Sequence, residues 1–224
     1  MKRTKLKDRV LPNYSRGEEL FNMISHIVGG GLGVVALVLC IVFSSIYNDA
    51  IAVISSVVYG GALISLYTMS SIYHGLHPNT AKKVLQIIDH CTIYMLIAGT
   101  YTPILLIKVR LINPIIAWAL FAFVWSCALL AATLTAIDLK KYKKLSMLCY
   151  ILIGWSAIFA IDTIIKAITM TGFIYILLGG IAYTIGAVLY GLGKKKSIMH
   201  SIFHLFCLLG SILQFICIFF YIIL

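Results

Sequence analysis

Residues 21–46 read FNMISHIVGGGLGVVALVLCIVFSSI, an unbroken stretch without a single charged side chain. At about 1.5 Å per residue it is long enough, as a helix, to cross the roughly 30 Å hydrocarbon core of a bilayer. Six more such stretches follow, at about 50–73, 88–108, 114–137, 145–165, 173–192 and 198–223. Barrel strands would be about half as long and would alternate in polarity. The expected fold is therefore an all-α integral membrane protein, a bundle of seven transmembrane helices spanning residues 21–224. A basic tail, residues 1–20, precedes it.

Composition agrees. Of 224 residues, 62% are hydrophobic and 11% charged, where a soluble domain is nearer half apolar and a quarter charged. Too little polar surface is available to wrap such a chain in water. The net charge of +11 does not indicate nucleic acid, because the charges lie in short clusters between apolar segments, as membrane topology requires. The six cysteines (Cys40, Cys91, Cys127, Cys149, Cys207 and Cys217) lie within apolar segments without CxxC spacing. They read as small hydrophobes rather than disulfides or zinc knuckles. The first apolar segment lacks a small-residue cleavage site and is expected to be a retained helix.

Positive charge sets the orientation. The tail carries six lysines and arginines (Lys2, Arg3, Lys5, Lys7, Arg9, Arg16). The second loop carries Lys82 and Lys83, the fourth Lys140, Lys141, Lys143 and Lys144, and the sixth Lys194, Lys195 and Lys196. Fifteen thus fall on one side, against Lys108, Arg110 and Lys166 on the other. That asymmetry predicts a cytoplasmic N-terminus and an external C-terminus in the cell membrane. Within helix 1, Gly29 and Gly33 form a small-xxx-small pair suited to close helix contact. Pro103 is expected to kink helix 3, with Thr100 or Thr102 satisfying freed backbone groups.

The polar atoms gather at one depth. His26, His74, His77, His90, His200 and His204, with Glu19 and Asp89, all fall near the cytoplasmic ends of the predicted helices. His200 and His204, four apart, project from one helix face, and His74 ends helix 2. Three histidines with an open fourth position suit catalytic zinc. Asp89 would bind metal directly or through water and serve as general base. Ser70, one turn before His74, is expected to support the site by hydrogen bonding. A histidine pair at this spacing also serves, less often, as interhelical hydrogen bonding. His77, before Pro78, reads as solvated. His90 points about 100° away from Asp89, so both cannot face one metal. Glu19, Asn22, Ser25 and His26 read either as groups that hydrogen-bond the metal-binding residues or as helix-start residues. The flanking lysines read as topology determinants and contacts for anionic lipid.

Four motifs in order carry a family resemblance. They are Glu19-Leu-Phe-Asn22-Met-Ile-Ser25-His26, Ser70-Ser-Ile-Tyr-His74, Ile88-Asp89-His90 through Gly99-Thr100-Tyr101-Thr102-Pro103, and His200-Ser-Ile-Phe-His204. From Glu18 onward the chain resembles the hemolysin III proteins, the bacterial branch of the progestin and adiponectin receptor family. The resemblance implies a zinc site on His74, His200 and His204, with Asp89 binding a water. A wider similarity to alkaline ceramidases implies metal-dependent hydrolysis of lipid amides or esters, by analogy. The hemolysin name implies lysis, and other relatives imply membrane-lipid homeostasis. Two functions are thus expected: an intramembrane hydrolase holding a lipid or fatty acid inside the bundle, or a non-enzymatic sensing or cytolytic protein with a structural zinc.

Overall fold

The computed structural model describes residues 4–193 and 196–224, so Lys2, Arg3, Lys194 and Lys195 of the charge pattern lie outside the described residues. The described residues contain no strand. After a short 3-10 turn at Leu6–Asp8 come α1 (Arg16–Tyr47), α2 (Ala50–Gly75) and α3 (Thr80–Pro103). They are followed by α4 (Pro114–Ile137), α5 (Lys143–Gly154), α6 (Ile161–Leu192) and α7 (Ile198–Cys217). Large apolar side chains such as Ile115 and Phe159, each 81% exposed, cover the outside. A surface of that kind is compatible with lipid and not with water. Among the described residues, six helical runs are long and apolar enough to cross a membrane.

Capping chemistry moves two helix starts earlier than hydropathy suggests. The Ser15 hydroxyl accepts from Glu18 N–H (3.2 Å), and Ser15 N–H donates to the Glu18 carboxylate (2.7 Å). This capping box satisfies two otherwise orphaned donors and starts α1 at Arg16, which places Glu19 in its first turn. Asn79 caps Lys82 N–H (2.8 Å), so α3 begins at Thr80 and carries Lys82 and Gln86 as buried helix residues.

The predicted connection over 166–172 is not a loop. The stretch Lys166-Ala-Ile-Thr-Met-Thr-Gly172 holds no proline and one glycine, so helix persists on both sides of a single break at Thr169 (φ 66°, ψ 164°). The expected fifth and sixth helices thus meet at this one non-helical residue, within the stretch Lys143–Leu192. A 3-10 segment, Ser156–Ala160, interrupts it once more. Tyr101 fills this interruption: its hydroxyl donates to Gly154 C=O (2.9 Å) and accepts from Ala157 N–H (2.8 Å). Pro103 ends α3 and is followed by a π-helical turn, Ile104–Val109. Thr100 and Thr102 donate to Leu96 and Ala98 carbonyls, each at 2.8 Å.

Helix α1 packs on α2, α2 on α3, α3 on α4, and α6 on α7, which returns to α1. Glycine permits the first contact. A Cβ on Gly29 would lie 2.5 Å from the Tyr67 ring, and one on Gly60 would lie 2.6 Å from Leu37 Cβ. At one end of the bundle Thr4 N–H donates to Asp138 (2.7 Å) and Lys83 Nζ to Lys7 C=O (2.9 Å). At the other, Arg110 pairs with Asp49 (2.9 Å) and Asn48 Nδ2 donates to Ile223 C=O (2.8 Å). The tail and the C-terminus therefore lie at opposite ends.

Candidate metal centre

Three histidines from two helices meet at the tail end of the bundle. His74 lies in the last turn of α2, and His200 and His204 occupy the first two turns of α7. All three are buried, and one ring nitrogen from each lies within 4.8 Å of the others. His200 Nε2 and His204 Nε2 are 3.1 Å apart. Two nitrogens bound tetrahedrally at about 2.05 Å to one metal would be about 3.3 Å apart, with ring centres about 5 Å apart. The ring centres here are separated by 4.8 Å, 4.9 Å and 5.4 Å. The donor set fits a metal ion.

The tautomer of His74 supports the same reading. Its Nδ1 lies 2.6 Å from Glu19 Oε2. A carboxylate only accepts, so Nδ1 carries the proton and Nε2 presents its lone pair. That Nε2 is buried and has no partner among the described residues, and neither has His204 Nδ1. Glu19 is held in turn by Lys82, whose Nζ donates to Oε1 (2.6 Å) and to Leu76 C=O (2.9 Å). Lys82 is thus a buried member of this network, not a solvated topology charge. No spacing in the sequence pairs it with Glu19, 63 positions earlier.

Asp89 falls outside the three-nitrogen group but on the wall of the cavity that His200 and His204 also line. Ser70 lines the same wall. His90 lines the same cavity, its Nδ1 3.8 Å from Asp89 Oδ2; Nδ1 donates to Gln86 C=O (2.7 Å), which leaves Nε2 to accept from the Tyr190 hydroxyl (3.0 Å). His77 is exposed. His26 stacks on His204 with ring centres 3.9 Å apart, closer than two ligands of one metal would lie. Asn22, one turn earlier, is buried with both amide atoms unpartnered. The Ser25 hydroxyl turns back to Asn22 C=O (2.9 Å) and contacts its own helix.

Tyr14, just before α1, stacks on His200 with ring centres 4.8 Å apart and planes 14° apart. Burial, reinforced by Tyr190, Glu19 and Asp89, raises its hydroxyl pKa and keeps it neutral. Sequence reading overlooked this residue, since nothing in the tail marks one aromatic as folding back. The cavity beyond the histidines measures about 180 Å³ and reaches Gln214 on α7. The fourteen steps along α7 from His200 to Gln214 correspond to about 21 Å of helix. Along that length the walls are largely apolar, with Ile93, Leu96, Ile97 and Phe203 among them.

Known proteins resemble the chain over most of its length. A family model described as "Haemolysin-III related" matches residues 14–215. The chain is 40% identical to Hemolysin-3 of Bacillus cereus over 205 residues, 92% of each chain. It is 36% identical to the Hemolysin-3 homolog of Bacillus subtilis (strain 168) over 204 residues, covering 91% of this chain and 94% of that one. A more distant likeness, 24% over 164 residues, links it to the human monocyte to macrophage differentiation factor, covering 71% of this chain and 66% of that one.

Proposed function

The chain belongs to the haemolysin-III-related family of multi-pass membrane proteins, and on that footing we propose that it is a zinc-dependent hydrolase of lipid amides or esters. One observation carries this reading: three buried histidine nitrogens converge beside a long apolar cavity whose wall also bears Asp89 and Ser70. A zinc ion held by His74, His200 and His204 would supply Lewis acidity toward a carbonyl oxygen and would acidify water. Asp89 accepts the proton of the attacking water, and Ser70, on the same wall, would orient the Asp89 carboxyl. Glu19 keeps His74 in the tautomer that presents Nε2, and Lys82 holds Glu19 in place. Ile93, Leu96, Ile97 and Phe203 enclose the acyl chain and exclude bulk water.

The membrane arrangement we infer has seven crossings. The run Lys143–Leu192 has 50 residues, about 75 Å of helix, more than twice the hydrocarbon thickness. Two crossings that turn near Thr169 accommodate it. The lysine and arginine asymmetry then puts the histidine centre at the cytoplasmic side, facing the inner leaflet. Proteins named for hemolysis among the relatives suggest a cytolytic alternative in which the metal only ties α2 to α7. The apolar walls of the cavity favour lipid binding over an aqueous pore.

The test is metal content of detergent-purified protein, followed by fatty-acid release from a lipid amide. Wild type is expected to hold about one zinc per chain, and the His200→Ala, His204→Ala double variant none. Asp89→Ala is expected to retain the zinc and release no fatty acid. Zinc-free wild type would overturn the proposal, as would undiminished release by Asp89→Ala.

A further inference from the structure

The tail crosses the end of the bundle that holds the histidines. Thr4 N–H donates to Asp138 in the α4–α5 connection, and Lys83 Nζ, in the first turn of α3, donates to Lys7 C=O. Farther along, Tyr14 lies over His200 at the start of α7, with ring centres 4.8 Å apart, and its ring is 5.9 Å from that of His74. Lys5, Lys7, Asp8 and Asn13 are exposed, so the tail forms a strap in water. Tyr14 turns inward from it onto two of the three histidines.

Beneath the strap the centre is closed. His74, His200 and His204 are 3%, 7% and 1% exposed. The cavity beyond them has largely apolar walls, and a divalent cation enters such surroundings only at a large desolvation cost. A metal ion therefore reaches the histidines from the aqueous end, where the Tyr14 ring covers His200. That ring is lightly held. Ser15 caps α1 immediately behind it, but residues 9–14 form neither helix nor strand. The Tyr14 side chain makes ring contacts and no hydrogen bond among the described residues.

An aromatic stack is worth roughly two- to tenfold in an equilibrium, enough to keep the ring down and little enough to release it. We propose that Tyr14 is a gate, rotating off His200 to let the metal ion pass between water and the three histidines. The gate rests on the reading that these histidines hold a metal, and it is independent of hydrolysis. A gate speeds or slows passage in both directions by one factor and leaves the dissociation constant alone. A residue that only orients His200 acts instead on affinity.

The test is zinc exchange by the full chain in detergent. Uptake is timed after adding zinc chloride to metal-stripped protein, and release after adding a water-soluble chelator to loaded protein. Tyr14→Ala is expected to speed both by about tenfold, the worth of the stack, with the dissociation constant within twofold of wild type. Tyr14→Phe, which keeps the ring, should match wild type. A second measurement needs no metal: the thiol of His200→Cys should react with an impermeant maleimide about tenfold faster when Tyr14→Ala is added. Zinc-free wild type would overturn the metal reading and the gate together. Zinc-loaded wild type whose exchange Tyr14→Ala leaves unchanged would overturn the gate alone, as would faster release without faster uptake. Equal thiol reactivity with and without the Tyr14 ring would overturn the closure itself.

Discussion

Glu19 on α1 and His74 on α2 meet across the helix interface, with Oε2 2.6 Å from Nδ1. The contact joins residues 55 positions apart and turns the other nitrogen of His74 toward His200 and His204. Carboxylates that orient a ligand histidine in this way typically contribute 10–100-fold in metal affinity. Glu19→Gln is thus expected to weaken zinc binding about 10–100-fold in a competitive chelator titration. An unchanged dissociation constant would mean that the pair only staples two helices.

Close approach of α1 to α2 depends on absent side chains. Gly60→Ala would place its methyl 2.6 Å from Leu37 Cβ and 2.8 Å from Leu37 Cα, which is backbone and cannot rotate away. A destabilisation of about 1–3 kcal/mol is expected, read as a lowered Tm in detergent. Gly61→Ala, with nothing within 4 Å, should leave Tm within a degree or two of wild type.

Thr169 occupies a backbone region, φ 66° and ψ 164°, that essentially only glycine adopts without strain. Thr169→Gly is expected to stabilise the protein by about 1 kcal/mol or more, despite losing the weak Gly172 N–H contact at 3.4 Å. A lower thermal midpoint for this variant would show that the break is not strained.

Asp138 ties down the tail by accepting from Thr4, Lys140 and Lys141 N–H groups at 2.7–3.1 Å. Burial pushes its pKa up, but these hydrogen bonds outweigh that and lower it to about 2. A carboxyl depressed in the folded state contributes fully above its unfolded value near 4 and loses that contribution as pH falls toward 2. Protection of residues 4–12 from proteolysis by pepsin should hold at pH 4.5 and decline toward pH 2. Asp138→Asn should show the loss already at pH 4.5.

If Lys143–Leu192 crosses the membrane twice, Lys140 and Lys166 lie on opposite sides. An impermeant maleimide on intact cells should label Lys166→Cys directly and Lys140→Cys only after permeabilisation. Labelling of both from one side would rule out the seven-crossing arrangement.

The amino-acid sequence by itself determined the properties that depend on neighbours along the chain. Apolar length and charge clustering identify lipid as the solvent of this protein, because transfer from water is settled segment by segment. The four-residue spacing of His200 and His204 puts both on one face through helix geometry alone. Even so, apolar length placed the starts of α1 and α3 too late. Caps at Ser15 and Asn79 set them, and a capped polar turn carries no hydropathy signal.

Tertiary structure alone decided which groups meet across helices. The Glu19–Lys82 pair, Tyr14 lying on His200 and His26 stacked on His204 depend on helix register and on the approach distances that Gly29 and Gly60 permit. The break at Thr169 falls inside the connection expected over 166–172, and only its contraction to a single residue belongs here. Sequence spacing records angles around one helix axis, and it holds no information about the distance between two.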